Sequence, residues 1–207
     1  MATARLEKVN QTYTGFGTMQ QDLLYNPVLT EKSVYLNGYQ GRIYALDKAL
    51  NRKWIYDSDR SISSGLGIAN DKLFWVTHDG YFISFSINER KVLWREFIGS
   101  QVLHSPSFSE DGFLALLQLD NGNLIAVNTL SGKIRWNFIN NLPTLKLHGI
   151  GKPLVVDDIV YFGSPVGKIH ALNLMNGNLI WEAFVSLPQG ASELARVTDV
   201  NLSLIHI

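Results

Sequence analysis

The stretch A-V-N-T-L-S-G-K-I-R-W at residues 126–136 returns 45 residues later as A-L-N-L-M-N-G-N-L-I-W at residues 171–181. Each copy places Asn two residues after Ala, Gly four residues after Asn, and Trp four residues after Gly. Matching residue types at fixed spacing mark a repeated structural unit. The period extends outward from these two copies. Trp54, Trp94, Trp136 and Trp181 are separated by 40, 42 and 45 residues, and Gly41, Gly80, Gly122 and Gly167 precede them by 13 or 14.

Between these landmarks lie S-V-Y-L-N-G-Y-Q-G-R-I-Y-A-L, K-L-F-W-V-T-H-D-G-Y-F-I-S-F, G-F-L-A-L-L-Q-L-D-N-G-N-L-I-A-V and D-I-V-Y-F-G-S-P-V-G-K-I-H-A-L. Each has two apolar, aromatic and β-branched runs around a Gly-containing turn, the pattern of a β-hairpin. A third strand is expected to end at each Trp, after a turn in which Gly132 or Gly177 supplies a positive φ. The first two repeats depart here, with Asn51 and with Asn88, Glu89 and Arg90. A fourth strand is expected just after each Trp, as in E-F-I-G and E-A-F-V-S, with Pro27, Pro106 and Pro153 at the start of the next first strand. Four strands per period of 40 to 45 residues is the arithmetic of β-propeller blades. Helical periodicity is sustained nowhere, which disfavours an α-solenoid of the same period.

The repeated Trp is read as blade packing. A ring of 150 to 250 Å² buried between sheets is worth on the order of 4 to 6 kcal/mol, so Trp54, Trp94, Trp136 and Trp181 are expected to anchor the blades. Trp75, inside the run L-F-W-V, is expected to be structural as well.

Composition narrows function. In 207 residues, 18 Lys plus Arg balance 18 Asp plus Glu, so the broad positive field of a nucleic-acid binder or anionic-membrane binder is absent. Zero Cys removes disulfides, Cys-ligated zinc and a Cys nucleophile. No apolar run approaches the roughly 20 residues of a membrane span, and the first residues lack a signal-peptide pattern. His78, His104, His148 and His170 stand apart without metal-ligand spacing. G-S-P-V-G at residues 163–167 has Ser164 one position early for a nucleophile elbow and sits in a hairpin. Gly65-Leu66-Gly67 and Gly149-Ile150-Gly151-Lys152 complete no phosphate-binding pattern. The acidic pairs Glu110-Asp111 and Asp157-Asp158 fall in turns between first and second strands, where Asp is favoured for local hydrogen bonds. No catalytic residue, cofactor ligand or metal ligand is therefore assigned.

The Ala, Asn, Gly and Trp spacing resembles the PQQ-type propeller repeat, which serves both quinoprotein dehydrogenases and non-enzymatic propellers. Two segments narrow the resemblance: N-L-P-T-L-K-L-H-G at residues 141–149 and G-A-S-E-L-A-R-V-T-D-V at residues 190–200, one blade apart. Together they resemble the BamB family, propeller lipoproteins of the bacterial outer-membrane β-barrel assembly machinery. The resemblance implies an all-β propeller of four-stranded antiparallel blades, with residues 1–200 holding about four of an expected eight. It also implies a non-enzymatic scaffold without cofactor at the periplasmic face of the outer membrane. Its partners would be the central barrel-inserting subunit and unfolded outer-membrane proteins, with no nucleic acid, and membrane contact only through a lipidated Cys that this sequence lacks. The alternative of the same repeat class is a PQQ-dependent dehydrogenase. A vicinal Cys pair expected under its quinone is missing here. Residues 202–207, L-S-L-I-H-I, resemble the translated end of a transposon used in sequencing-library preparation and are set aside as non-native.

The partner site is expected at residues 142–148. In an extended stretch Leu145 and Leu147 point the same way, and with Lys146 they make a small apolar patch with a charged rim. From the residues alone, leucines tucked beneath the loop as satellite core are the better reading. The family resemblance reverses this, because its Leu-x-Leu-Arg segment contacts the barrel subunit, and Leu145, Leu147 and His148 occupy those positions. His148 lacks the guanidinium fork of the family's Arg. Reading residues 1–200 as half of a closed ring predicts that this segment alone associates through uncovered apolar faces. Sedimentation checks this; a monodisperse species near 23.2 kDa with a sharp, reversible melt counts against it.

Overall fold

Sixteen short strands in four antiparallel sheets account for the repeat in the computed structural model, which describes residues 27–140, 151–164 and 167–185. The first sheet contains β1 (Val28–Leu29), β2 (Val34–Asn37), β3 (Arg42–Leu46) and β4 (Arg52–Asp57). The second contains β5 (Gly67–Ala69), β6 (Lys72–Val76), β7 (Tyr81–Ser86) and β8 (Lys91–Phe97). β9 (Ser107–Phe108), β10 (Leu114–Gln118), β11 (Leu124–Asn128) and β12 (Ile134–Phe138) form the third. β13 (Leu154–Val156), β14 (Ile159–Gly163), β15 (Lys168–Asn173) and β16 (Leu179–Phe184) form the fourth. Each sheet is a meander in chain order, as β-propeller blades are, and no α-helix occurs among the described residues.

The strand count per period agrees with the sequence, but one assignment is corrected. The strand expected to end at each Trp and the strand expected just after it are one strand, with Trp94 midway along β8 and Trp181 midway along β16. The remaining strand is the short one before the hairpin, and it begins directly after Pro27, Pro106 and Pro153 in three blades. Its start at these prolines agrees with the sequence reading, and at two or three residues it is too short to show a period-2 pattern.

Cross-strand register explains the motif. Trp54, Trp136 and Trp181 pair with Ala45, Ala126 and Ala171, and Trp94 pairs with Ser84, so a small side chain always lies beside the indole. A register shift follows that pair in all four blades and bulges out the residue before the Trp. The Asn of the motif builds the turn: Asn128 Oδ1 accepts from the amides of Leu130 and Ser131, and Asn173 Oδ1 from those of Met175 and Asn176. Gly132 and Gly177 adopt φ of +76° and +71°. At the same turn position the first two blades force Leu50 and Arg90 to +64° and +54°, where the sequence had drawn attention to Asn51.

Three apolar clusters fill the three seams between consecutive blades. Tyr35, Ile43 and Ala45 pack against Leu73, Trp75, Ile83 and Phe85; Phe74, Val76 and Phe82 against Ala115, Leu117, Ile125 and Val127; Leu116, Leu124 and Ala126 against Val160, Phe162 and Leu172. β6 and β7 thus bury both faces, which is why their sequences read as unbroken apolar runs. The repeated Trp closes two seams. Trp94 Nε1 donates to the Thr129 carbonyl at 3.2 Å, and Trp136 Nε1 to the Leu174 carbonyl at 2.8 Å, each in the last turn of the following blade. The ring lies against that turn's Gly: a Cβ on Gly132 would come within 2.9 Å of Trp94, and one on Gly177 within 2.6 Å of Trp136. Trp136 is 9% exposed, whereas Trp181 is 44% exposed among the described residues.

One buried titratable group sits in the third seam. His170 of β15 is 3% exposed, stacked on Phe162 at 4.9 Å between ring centres and tilted against Phe138 at 5.6 Å. Neither ring nitrogen has a hydrogen-bond partner. Burial lowers its pKa below the ordinary 6.5; Glu182, 3.5 Å from Nδ1, opposes that effect and Lys168 adds to it. The native state therefore binds fewer protons than the unfolded chain, so stability is held above pH 6.5 and lost as pH falls below it.

Gly177→Ala destabilises the protein by about 2 to 4 kcal/mol through its left-handed backbone and its clash with the indole. In a Trp136→Ala background the same change costs less, because only the backbone penalty remains; equal costs in a denaturation cycle refute the contact. His170→Phe flattens the loss of melting temperature between pH 7 and pH 5, a loss limited to about 1.4 kcal/mol per pH unit for one proton.

Candidate partner surface

Leu145, Leu147 and His148 lie outside the described residues, as do the segment at residues 190–200 and the tail at residues 202–207. The structure describes the sheet ends on either side of residues 141–150. In a meander, the turn between second and third strands and the exit from the fourth strand share one end of the sheet. The turns holding Gly41, Gly80, Gly122 and Gly167 therefore lie at the end from which residues 141–150 leave blade 3. The first and last turns of each blade, with both acidic pairs, lie at the opposite end.

At that opposite end a cleft of about 750 Å³ between blades 3 and 4 is lined by Glu110, Asp111, Asp157, Asp158 and Arg135. Asp111 and Arg135 have local structural tasks. Asp111 Oδ1 accepts from Ser109 Oγ at 2.6 Å and from the Phe113 amide at 2.9 Å, bonds that hold its carboxyl below the usual range. A general acid needs the opposite shift. Arg135 Nε donates to the Met175 carbonyl at 3.2 Å. Ser164 is buried at the end of β14. His78, His104 and His170 are not brought together, and no group of three His, Cys, Asp or Glu side chains able to hold a metal occurs among the described residues.

The end bearing residues 141–150 has a feature that sequence reasoning missed. The third residue after each repeated Trp is Asp57, Phe97, Ile139 or Phe184. The last three are 59%, 66% and 53% exposed. Phe97 pairs across the strands with Tyr81, their ring centres 5.2 Å apart, and the Arg60 guanidinium lies 4.9 Å over the Tyr81 ring while pairing with Asp79. Phe184 pairs with Lys168, whose ammonium sits 4.8 Å over the Phe184 ring and bonds Glu182 at 2.5 Å. In blade 1 the same pair of positions holds Arg42 and Asp57, 3.5 Å apart. The signal was available once the repeats were aligned on Trp.

Comparison with known proteins places the chain. The family model described as outer membrane protein assembly factor BamB matches residues 40–206. The BamB of Nitrosomonas eutropha is 27% identical over 179 residues, covering 86% of this chain and 43% of that protein. The chain spans about half the length of the curated relatives it matches. The crystal structure of BamB from Moraxella catarrhalis superposes with a TM-score of 0.79 at 22% identity, covering 89% of this chain and 56% of that one. A quinohemoprotein alcohol dehydrogenase from Pseudomonas putida shares the fold at a TM-score of 0.63 and 15% identity, covering 77% of this chain and 34% of that one. With a family match over most of its length and four blades that superpose on a solved member, this chain belongs to the BamB family.

Proposed function

We propose that the protein is a non-enzymatic scaffold at the periplasmic face of the bacterial outer membrane. It docks on the central barrel-inserting subunit of the assembly machinery and helps deliver unfolded outer-membrane proteins to it. The observation that carries this reading is membership of a family whose curated members are named outer-membrane protein assembly factors. The geometry is consistent with recognition without chemistry. Asp111, Asn128 and Asn173 are spent on turns, and the three apolar clusters are sheet-to-sheet packing. The dehydrogenase of similar architecture lends this chain its fold alone.

Docking is assigned to residues 142–148, with Leu145 and Leu147 as anchors and His148 as a weaker contact. Leu145→Ala combined with Leu147→Ala in the complete protein is expected to cost on the order of 2 to 4 kcal/mol of binding to the barrel-inserting subunit, with the melting temperature almost unchanged. A large drop in melting temperature with affinity preserved makes the leucines core and moves the site elsewhere. Micromolar binding of PQQ or calcium with alcohol-driven dye reduction overturns the scaffold reading in favour of a dehydrogenase.

A further inference from the structure

We infer that the seam between blades 1 and 2 holds a binding site for an organic anion with a flat apolar body, in its simplest form an aromatic carboxylate, seated against Trp54. This stands apart from the docking reading above. The repeat supplies the comparison. In the two following seams the indole lies against Gly132 or Gly177, and its N–H donates to the carbonyl of Thr129 or Leu174. The residues of blade 2 at those two positions are Arg90 and Ile87. Arg90 is held at a φ of +54°, and the Trp54 indole has no counterpart of those hydrogen bonds among the described residues. A cleft of about 710 Å³ takes Trp54, Ile87 and Arg90 into its wall, a volume within the range of small-molecule pockets. A strained side chain kept where the other blades use Gly is a cost that packing does not explain.

The lining sets the class of ligand. Tyr35, Trp54, Ile68 and Ile87 give the cleft aromatic and apolar walls, and Lys32, Lys53 and Arg90 share its border with Glu31 and Asp71. Three cations against two carboxylates leave one net positive charge. None of the three cations enters an ion pair among the described residues, so their charges remain available. Lys53 Nζ is held in place, donating to Ser33 Oγ at 2.9 Å and to the Lys32 carbonyl at 3.2 Å. The indole is fixed too, 5.9 Å from both Tyr35 and Phe85. A preformed aromatic wall receives a flat apolar group at low entropic cost, and the guanidinium, the ammonium groups and the indole N–H are donors for a carboxylate. The cleft of the third seam is the contrast within the same molecule. There Glu110, Asp111, Asp157 and Asp158 against Arg135 leave three net negative charges, and Trp136 is not in the wall, so the same anion is excluded.

The test follows the indole N–H resonances of the complete protein by NMR, with Trp54→Phe identifying the Trp54 signal. Phenylacetate is the probe, phenylacetamide its uncharged match and acetate its ringless one. Phenylacetate is expected to move the Trp54 signal with a Kd in the millimolar range, as suits a ligand of its size, and to leave the Trp136 signal in place. Phenylacetamide and acetate are each expected to bind about tenfold more weakly, for want of the charge or of the ring. Arg90→Gln should weaken phenylacetate by a similar factor with the melting temperature kept. Arg90→Gly, which copies Gly132, should abolish binding while raising the melting temperature, because it relieves the left-handed backbone. A peptide with adjacent Phe and Asp, blocked at both ends, that binds more tightly than phenylacetate assigns the anion to a polypeptide; equal or weaker affinity assigns it to a free small molecule. The inference is overturned if phenylacetamide binds as well as phenylacetate, if Arg90→Gln binds phenylacetate unchanged, or if the Trp54 signal does not move. It is equally overturned if the Trp54 N–H of the complete protein is protected from solvent exchange, since the cleft is then already filled.

Discussion

A tryptophan of one blade pressed on a glycine of the next is the contact on which the arrangement of sheets depends. Each blade is a twisted meander that cannot bury its faces alone. The indole of Trp94 or Trp136 fixes how the following blade lies, because its ring needs a flat, side-chain-free surface and its N–H needs one particular carbonyl. The receiving turn has to be left-handed at its glycine, has to be shaped by the Asn four residues earlier, and has to expose a carbonyl three residues before the glycine. Ala, Asn, Gly and Trp therefore recur together because they solve one steric problem shared by two blades.

That contact is graded along the chain. Blades 3 and 4 offer Gly132 and Gly177 to the preceding Trp, whereas blade 2 offers Arg90 in a left-handed conformation that disfavours a side chain. Around Trp54 a cleft of about 710 Å³ remains, lined also by Lys32, Lys53 and Arg90. The first seam relies more on its aromatic cluster, in which Trp54 lies 5.9 Å from both Tyr35 and Phe85. Departures from the repeat thus loosen the seam locally without removing its apolar core.

Packing of this kind also decides where function can reside. Apolar clusters occupy the seam centres, and Asp111 of the first acidic pair is engaged in its own turn, so neither is free for other work. Positions that vary between blades while the sheet remains the same are informative. Asp57 in one blade and Phe97, Ile139 and Phe184 in the others stand three residues after the repeated Trp, where Asp57 pairs with Arg42, Phe97 packs on Tyr81 and Phe184 lies under Lys168.

Legible in the sequence were the period, the all-β class and the turn chemistry, because those depend on residues close along the chain: Gly132 and Gly177 at their turns, Asn128 and Asn173 as turn acceptors, Pro106 and Pro153 before short strands. It also held the family resemblance, carried by segments between blades. It did not reveal that the Trp runs mid-strand, since the bulge before it and the Ala beside it exist only once strands pair. It could not distinguish His170, buried between Phe162 and Phe138, from surface histidines, nor Phe97, Ile139 and Phe184 from core residues. An apolar letter reports transfer free energy and not which neighbour removes it from water; that was decided only by the sheets, when one face of a strand met the next blade and the other met solvent.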